Sequence, residues 1–238
     1  MSGYLVKLID KKEVAEKTTA FFFEKPKNQS TQNTLSARPS SQRIENSGFK
    51  FTPGQFIEMH LNKKVYSFSI ASSPKEKELM ITTRMRPSKF KNALKKLKIG
   101  DRVKIDGPFG QFVLHKNKKN PAVFLAGGIG ITPFRSMIKS YPDRKITLFY
   151  SNRKPEDAAF LGELKELENK KKNFKLVAIM TSLTGHINPK MMKENVKNWQ
   201  KAIYYTVGST GFVQSMADML SKMKLKPEQI KTENFSGY

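Results

Sequence analysis

The chain has 238 residues, with 44 Lys plus Arg against 20 Asp plus Glu and a formal charge of +24. Hydrophobic residues make up 38% and charged residues 27%, enough for one large domain or two ordinary ones. The absence of cysteine excludes disulfides, thiolate-held iron–sulfur clusters, cysteine-based zinc sites and a cysteine nucleophile together.

The charge favours anionic partners by sign, without choosing among acidic proteins, nucleic acid and membrane surfaces. His60, His115 and His186 are too far apart to share a helical turn, so no metal site is expected. No apolar run approaches the ~20 residues that cross a bilayer. The first 14 residues lack the apolar stretch and cleavage site of a signal peptide. A soluble, cytoplasmic protein with no membrane span is the expectation.

The first half reads as strands. Tyr4–Asp10 and Thr18–Glu24 flank a charged turn, and Phe56–Leu61, Tyr66–Ala71, Leu79–Arg84 and Val103–Asp106 continue the rhythm. Ser88 is a good N-cap for one helix carrying Phe90, Leu94 and Leu97 at helical spacing, before Gly100 stops it. Between the strands, Lys27–Ser47 is rich in Ser, Thr, Asn and Gln, which reads as a long exposed loop inserted into the domain.

From Pro121 strands and helices alternate. Ala122–Ala126, Ile146–Tyr150, Phe174–Met180, Ala202–Val207 and Ile230–Phe235 read as strands. Helices are expected at Thr132–Ser140, Pro155–Glu168, after Asn188-Pro189, and at Gly211–Met223. Such alternation implies a parallel sheet covered on both faces. The boundary falls near His115–Asn120, giving domains 1–117 and 118–238. Glu156, Asp157, Glu163 and Glu166 read as a solvated helix face, and the lysine runs as surface.

Four segments carry candidate chemistry. Gly127-Gly128-Ile129-Gly130-Ile131-Thr132-Pro133 follows a buried strand and opens a helix. There glycines permit close approach of a diphosphate, amides and helix dipole favour the anion, and Thr132 offers a hydroxyl donor. The spacing is not G-x-G-x-x-G. Tyr66-Ser67-Phe68-Ser69-Ile70-Ala71-Ser72-Ser73-Pro74 alternates aromatic and hydroxyl groups, suited to a flat ring or to an ordinary amphipathic strand. Gly107-Pro108-Phe109-Gly110-Gln111-Phe112 is a turn before the boundary, and Val207-Gly208-Ser209-Thr210-Gly211-Phe212 is a strand end feeding a helix.

In order, these pieces resemble the ferredoxin–NADP reductase family. Phe51–Phe56 is similar to F-x-P-G-Q-[YF], and Phe68–Ser72 to the flavin-binding R-x-[YF]-[ST]-x-[AS]-S strand. Gly107–Phe112 matches G-P-x-G-x-F, Gly127–Pro133 matches G-G-x-G-[IV]-T-P, and Val207–Phe212 resembles C-G-P-x-x-M. The resemblance implies a six-stranded antiparallel β-barrel that binds FAD, followed by an α/β domain with a five-stranded parallel, Rossmann-like sheet that binds NADH or NADPH.

It further implies that Tyr66, Ser67, Phe68, Ser69, Ile70, Thr83, Arg84 and Ser88 hold FAD, and that Gly127, Gly128, Gly130, Thr132, Pro133 and Gly208 hold the nucleotide. Ser69 and the terminal Tyr238 would act at the flavin ring, Tyr238 as a movable cover.

Three departures stand out. Tyr66 occupies the place of the motif arginine that neutralises the flavin diphosphate; a register shifted by two, Lys64-Val65-Tyr66-Ser67, would restore a cation at Lys64. In the preferred register Arg84 is the leading substitute. Val207 stands where many members carry cysteine, and Ser209-Thr210 replaces a Gly-Pro pair's proline.

The implied function is a flavoprotein oxidoreductase passing electrons from NADH or NADPH to a separate acceptor. An acidic ferredoxin or flavodoxin would suit the charge. The alternatives are a flavin- or nucleotide-binding regulatory electron-transfer subunit and a basic nucleic-acid-binding barrel. Against the last, the lysines are spread through both halves and the glycine-rich turns would have no task. Nucleotide preference rests on the ribose 2′ position; Ser151-Asn152-Arg153 follows the second parallel strand and Thr181-Ser182 the third, and Arg153 reads either as a 2′-phosphate ligand or as a solvent-facing loop arginine.

Overall fold

Alternating burial bends the amino-terminal half around a single core. In the computed structural model, which describes residues 3–26 and 49–235, this half contains β1 (Tyr4–Ala15), β2 (Thr18–Glu24), β3 (Phe56–Leu61), β4 (Lys64–Ser69), β5 (Glu78–Arg84), α1 (Lys89–Lys96) and β6 (Arg102–Phe109). Val6 and Leu8, Phe21 and Phe23, Ile57 and Met59, and Leu79 and Ile81 point inward at every second position. The order β4-β3-β6-β1-β2-β5 is antiparallel throughout. Its two outer strands meet past the end of β4, where the Ala71 amide donates to the Met80 carbonyl at 2.8 Å. That contact closes the sheet into the expected barrel.

Several strand ends differ from expectation: β6 runs on to Phe109, into the segment expected to be a turn, and β1 and β4 differ for plain local reasons. β1 runs through the charged segment to Ala15 because Lys11–Glu13 pair with Phe21–Thr19, leaving only Glu16-Lys17 to reverse the chain. β4 starts two residues early, since Asn62 and Lys63 both adopt positive φ and make a two-residue hairpin turn. The Lys27–Ser47 loop expectation lies outside the described residues.

The second half contains β7 (Ala122–Gly127), α2 (Ile131–Ser140), β8 (Ile146–Asn152), α3 (Leu161–Lys170), β9 (Phe174–Met180), α4 (Thr181–Thr184), α5 (Pro189–Asn195), β10 (Ile203–Gly208), α6 (Thr210–Lys222) and β11 (Ile230–Asn234). All neighbours in the order β11-β10-β7-β8-β9 are parallel. Phe134 and Met137 of α2 and Leu164 of α3 cover one face, and Met192 of α5 with Met216 and Leu220 of α6 cover the other. The five-stranded α/β expectation holds.

The helix expected at Pro155–Glu168 is split. Pro155–Asp157 makes one tight turn, Ala158 and Ala159 sink into the core, and Phe160 at φ +61 redirects the chain into α3. The expected solvated face is split as well. Glu156 and Glu166 are exposed, but Asp157 and Glu163 are taken up in ion pairs with Arg84 and Arg135. Glu163 at the start of α3 meets Arg135 of α2, and Asp157, before α3, meets Arg84 of the barrel, so half of that acidic face is occupied. Among the described residues, no helix is long and apolar enough to cross a membrane, and no cluster of His, Asp and Glu suits a metal ion.

Candidate cofactor cleft

β7 and β10 are neighbours whose following strands lie on opposite sides, so the chain diverges between them. A crevice opens at their carboxyl ends, the usual ligand position in such sheets. Gly127, Gly128 and Ser209 line its floor, and Gly208 is buried just behind them. Gly128 has φ +54, and a Cβ there would meet nothing within 4 Å, so its backbone borders open space. Gly130 does the opposite: a Cβ would fall 2.2 Å from the Val207 carbonyl oxygen, so glycine lets the turn press against β10. Gly127 and Gly208 lie under the Phe212 ring, which a Cβ on either would meet at 2.8 Å.

The crevice is about 440 Å³, with Gly128, Ser151, Arg153, Ser209 and Phe212 on the sheet side and Arg84 and Arg86 on the barrel side. Thr132 and Pro133 are buried behind it. The Thr132 hydroxyl donates to the Ile129 carbonyl at 3.2 Å, so the expected ligand donor closes the turn instead.

On the barrel, Phe68 pairs with Ile57 and Tyr66 with Met59, which puts both rings on one face and Ser67 and Ser69 on the other. The Tyr66 ring centre lies 3.9 Å from that of Phe90, and Phe68 packs on Phe90 at 5.8 Å. Ser67 is exposed, Ser69 is buried, and Ile70 sits in the core with its amide donating to the Gln55 carbonyl at 2.9 Å. The Ser88 hydroxyl caps α1 by accepting from the Lys91 amide at 3.1 Å. The Lys91 amine, which the sequence reading passed over, turns inward, donates to the Thr83 hydroxyl and lies 5.2 Å from the Phe68 ring centre. Burial lowers its pKa to about 8.

Arg84 does not join that group. Its guanidinium crosses to the second domain and donates to Asp157 at 2.8 Å, in the wall of the nucleotide-side crevice. In this arrangement Arg84 is engaged by Asp157, away from the Lys91 and Phe68 cluster where it was expected to act. Tyr238 lies outside the described residues.

Residues 124–218 match the family model of the oxidoreductase NAD-binding domain. The reductase component of propane 2-monooxygenase from Rhodococcus jostii is 29% identical over 148 residues, covering 58% of this chain and 40% of that protein. The chain spans about half the length of the curated relatives it matches. Two solved structures share the fold over nearly the whole chain. The flavohem-like FAD/NAD-binding domain of nitric oxide dioxygenase from Vibrio cholerae has a TM-score of 0.79 at 18% identity, covering 99% of both chains. Ferredoxin-NADP+ reductase from Plasmodium falciparum has a TM-score of 0.75 at 18% identity, covering 98% of this chain and 96% of that one. The second half thus matches an oxidoreductase NAD-binding domain, and the whole chain shares the fold of ferredoxin–NADP reductase-like FAD- and NAD(P)-binding oxidoreductases.

The residues fit the family's two cofactors, FAD and NAD(P)H. Both carry a diphosphate. On the nucleotide side Gly128 leaves the backbone open to close approach; on the flavin side an aromatic face adjoins a lysine amine with no carboxylate partner.

The reductase fold also carries a polar clamp that composition could not reveal. Arg135 of α2 is 6% exposed and bonds the Ala71 carbonyl at 2.8 Å, Glu76 at 2.9 and 3.0 Å, and Glu163 twice at 2.7 Å. Ser136 donates to the Ser72 carbonyl at 2.7 Å, and the Ser140 hydroxyl meets that of Ser73 at 2.9 Å. The Ala71–Glu76 segment, read in sequence as the tail of a flavin motif, thus docks the barrel on α2. The available signal was an arginine set among the apolar residues Phe134, Met137 and Ile138 of an expected core-facing helix.

Proposed function

We propose that this chain takes hydride from NADH or NADPH onto FAD and passes electrons to a separate acceptor. The observation that carries the reading is the Thr83–Ser88 segment, which serves two places at once. Thr83 and Ser88 face the aromatic and cationic cluster of the barrel, whereas Arg84 and Arg86 wall the crevice beside Gly128. Two diphosphate-compatible places therefore share one wall, which suits two cofactors meeting ring to ring.

Bound FAD would supply hydride acceptance and release of electrons one or two at a time. The protein would hold and shield. Ser88 and the first turn of α1 would bind on the flavin side, with Tyr66 and Phe68 giving apolar surface. Gly127, Gly128 and Gly208 would admit the nucleotide diphosphate, with Arg84 and Arg153 as cations beside it. Ser69 remains the proposed residue at the flavin ring. The +24 charge supports an acidic acceptor such as a ferredoxin or flavodoxin.

The test is anaerobic mixing of purified protein with NADH and with NADPH while following the flavin absorbance. Bleaching by at least one nucleotide, then recovery on adding an acceptor, is expected. A protein that binds no flavin, or flavin that neither nucleotide bleaches, overturns the reading.

A further inference from the structure

Lys91 is placed where a lysine is least welcome. It stands in the first turn of α1, beside Lys89, with no acidic residue in that turn. The helix dipole presents partial positive charge there, so cations are disfavoured and anions favoured. Its amine is also turned away from solvent, among the Phe68 and Phe90 rings and the Thr83 hydroxyl. Burial is the one influence on its proton affinity, with no charged neighbour to oppose it.

Other inward cations of this protein find carboxylates or backbone carbonyls: Arg144, Lys25 and Lys171 bond carbonyls. Arg135 and Lys139 are both paired with Glu76 and Glu163, and Arg84 with Asp157. Lys91 forms no ion pair with any described Asp or Glu. A desolvated cation without counter-charge lowers stability. A conflict of this kind between local rules and placement marks a ligand site more often than a packing need. The neighbouring strand supplies the complement to the puzzle. Tyr66 holds the position at which the family motif has its arginine, and its ring is spent on Phe90 of the same helix.

We propose that Lys91, from the helix side, supplies the cation for the FAD diphosphate that Tyr66 cannot supply from the strand side. On binding, the amine exchanges the Thr83 hydroxyl for a phosphate oxygen, and the helix dipole and the lysine then act on the same anion. The inference rests on FAD binding and deepens it by naming the residue that reads the diphosphate. Lys64, the cation of the shifted register, is exposed at the hairpin turn and is the internal control.

The experiment titrates flavin-free full-length protein with FAD and with riboflavin, which has the ring but no phosphate, following flavin fluorescence. Lys91→Met keeps length and removes charge. It should weaken FAD about tenfold to a hundredfold while leaving riboflavin affinity within twofold. Lys91→Arg should recover most of the loss, and Lys64→Met should leave both ligands unchanged. Unchanged FAD affinity in Lys91→Met overturns the assignment. So does a parallel loss for both ligands, which would make Lys91 a packing residue, and so does selective FAD loss in Lys64→Met. Failure of the wild-type protein to bind FAD is a separate outcome and overturns the cofactor reading as a whole.

Discussion

Arg135 and Glu76 lie on different domains and are joined by two parallel hydrogen bonds, Nη1 to Oε2 at 3.0 Å and Nη2 to Oε1 at 2.9 Å. Arg135 is in the helix that the Gly127–Gly130 turn opens, and Glu76 in the segment that follows β4. The pair therefore fixes that barrel segment against the glycine-rich turn, the two places proposed for the cofactors. Removing one member of a buried pair leaves the rest uncompensated and costs roughly 3–5 kcal/mol. Arg135→Ala should lower the urea midpoint accordingly, and Lys139 alone should not rescue it. A midpoint equal to wild type would mean that the domains are held by their apolar contacts.

The same pair sets an acid limit. Burial pushes the Glu76 carboxyl up, but the bonds from Arg135, the Ser73 amide and Lys139 outweigh it and hold the group at about 2. A folded-state value below the unfolded one gives stability that is full above about pH 4.5 and lost as pH falls toward 2. Glu76→Gln should flatten that part of the stability–pH curve. Unfolding curves from pH 6 down to 3 check it; identical slopes for both proteins would remove Glu76 from the acid transition.

Arg84 walls the crevice proposed for the nucleotide, so its loss should show there. Arg84→Ala should raise KM for NADH or NADPH about tenfold, the effect of one charge-assisted contact, and leave the FAD dissociation constant unchanged. Steady-state kinetics beside a flavin titration separate the two. Weakened FAD with an unchanged KM would return Arg84 to the flavin.

How far the residues alone reach differs from place to place. Periodicity set most of both sheets, because alternation in the barrel strands and apolar runs in β7, β8 and β10 are dictated by which faces are covered, whereas the polar edge strand β11 carries no such run. Glycine motifs located the crevice, since close approach needs glycine whatever surrounds it. Side-chain direction was another matter. Arg84 and Lys91 are seven residues apart, both cationic, and nothing local says that one crosses to Asp157 while the other turns in toward Thr83. Ser72 and Ser73 fit a flavin motif by spacing, yet their partners Ser136 and Ser140 are supplied by a helix more than 60 residues away. Such choices depend on tertiary neighbours, which spacing does not encode.

The two inner glycines of the nucleotide turn should fail in different ways. At Gly130 a Cβ would collide with backbone, so Gly130→Ala should destabilise the fold before any effect on binding can be read. Gly128 borders open space, so Gly128→Ala should cost only the roughly 1 kcal/mol of a positive-φ backbone. Gly128→Val adds bulk toward the crevice and should raise the KM for nucleotide at least tenfold with flavin content unchanged. Equal KM values in a stable, flavin-loaded Gly128→Val protein would mean that the diphosphate does not pass this turn.

Glu233 on β11 gives the last prediction. It lies beside Val207 in the parallel ladder, at the crevice end of the sheet, and its Oε2 is buried with no hydrogen-bond partner. Burial pushes its carboxyl up to about 7. Here the folded-state value exceeds the unfolded one, so the sign is opposite to that of Glu76. Below about pH 4.5 both states carry the proton and nothing is lost. Between 4.5 and 7 the unfolded chain releases it while the folded chain keeps it, and stability falls; above 7 the deficit is constant. Glu233→Gln cannot titrate. Its stability relative to wild type should therefore rise across that interval by roughly 3 kcal/mol, at about 1.4 kcal/mol per pH unit. Denaturant midpoints of the two proteins at pH 5, 6, 7 and 8 measure the difference. A gap that stays the same at all four values would show that Glu233 is ionised in the folded protein throughout.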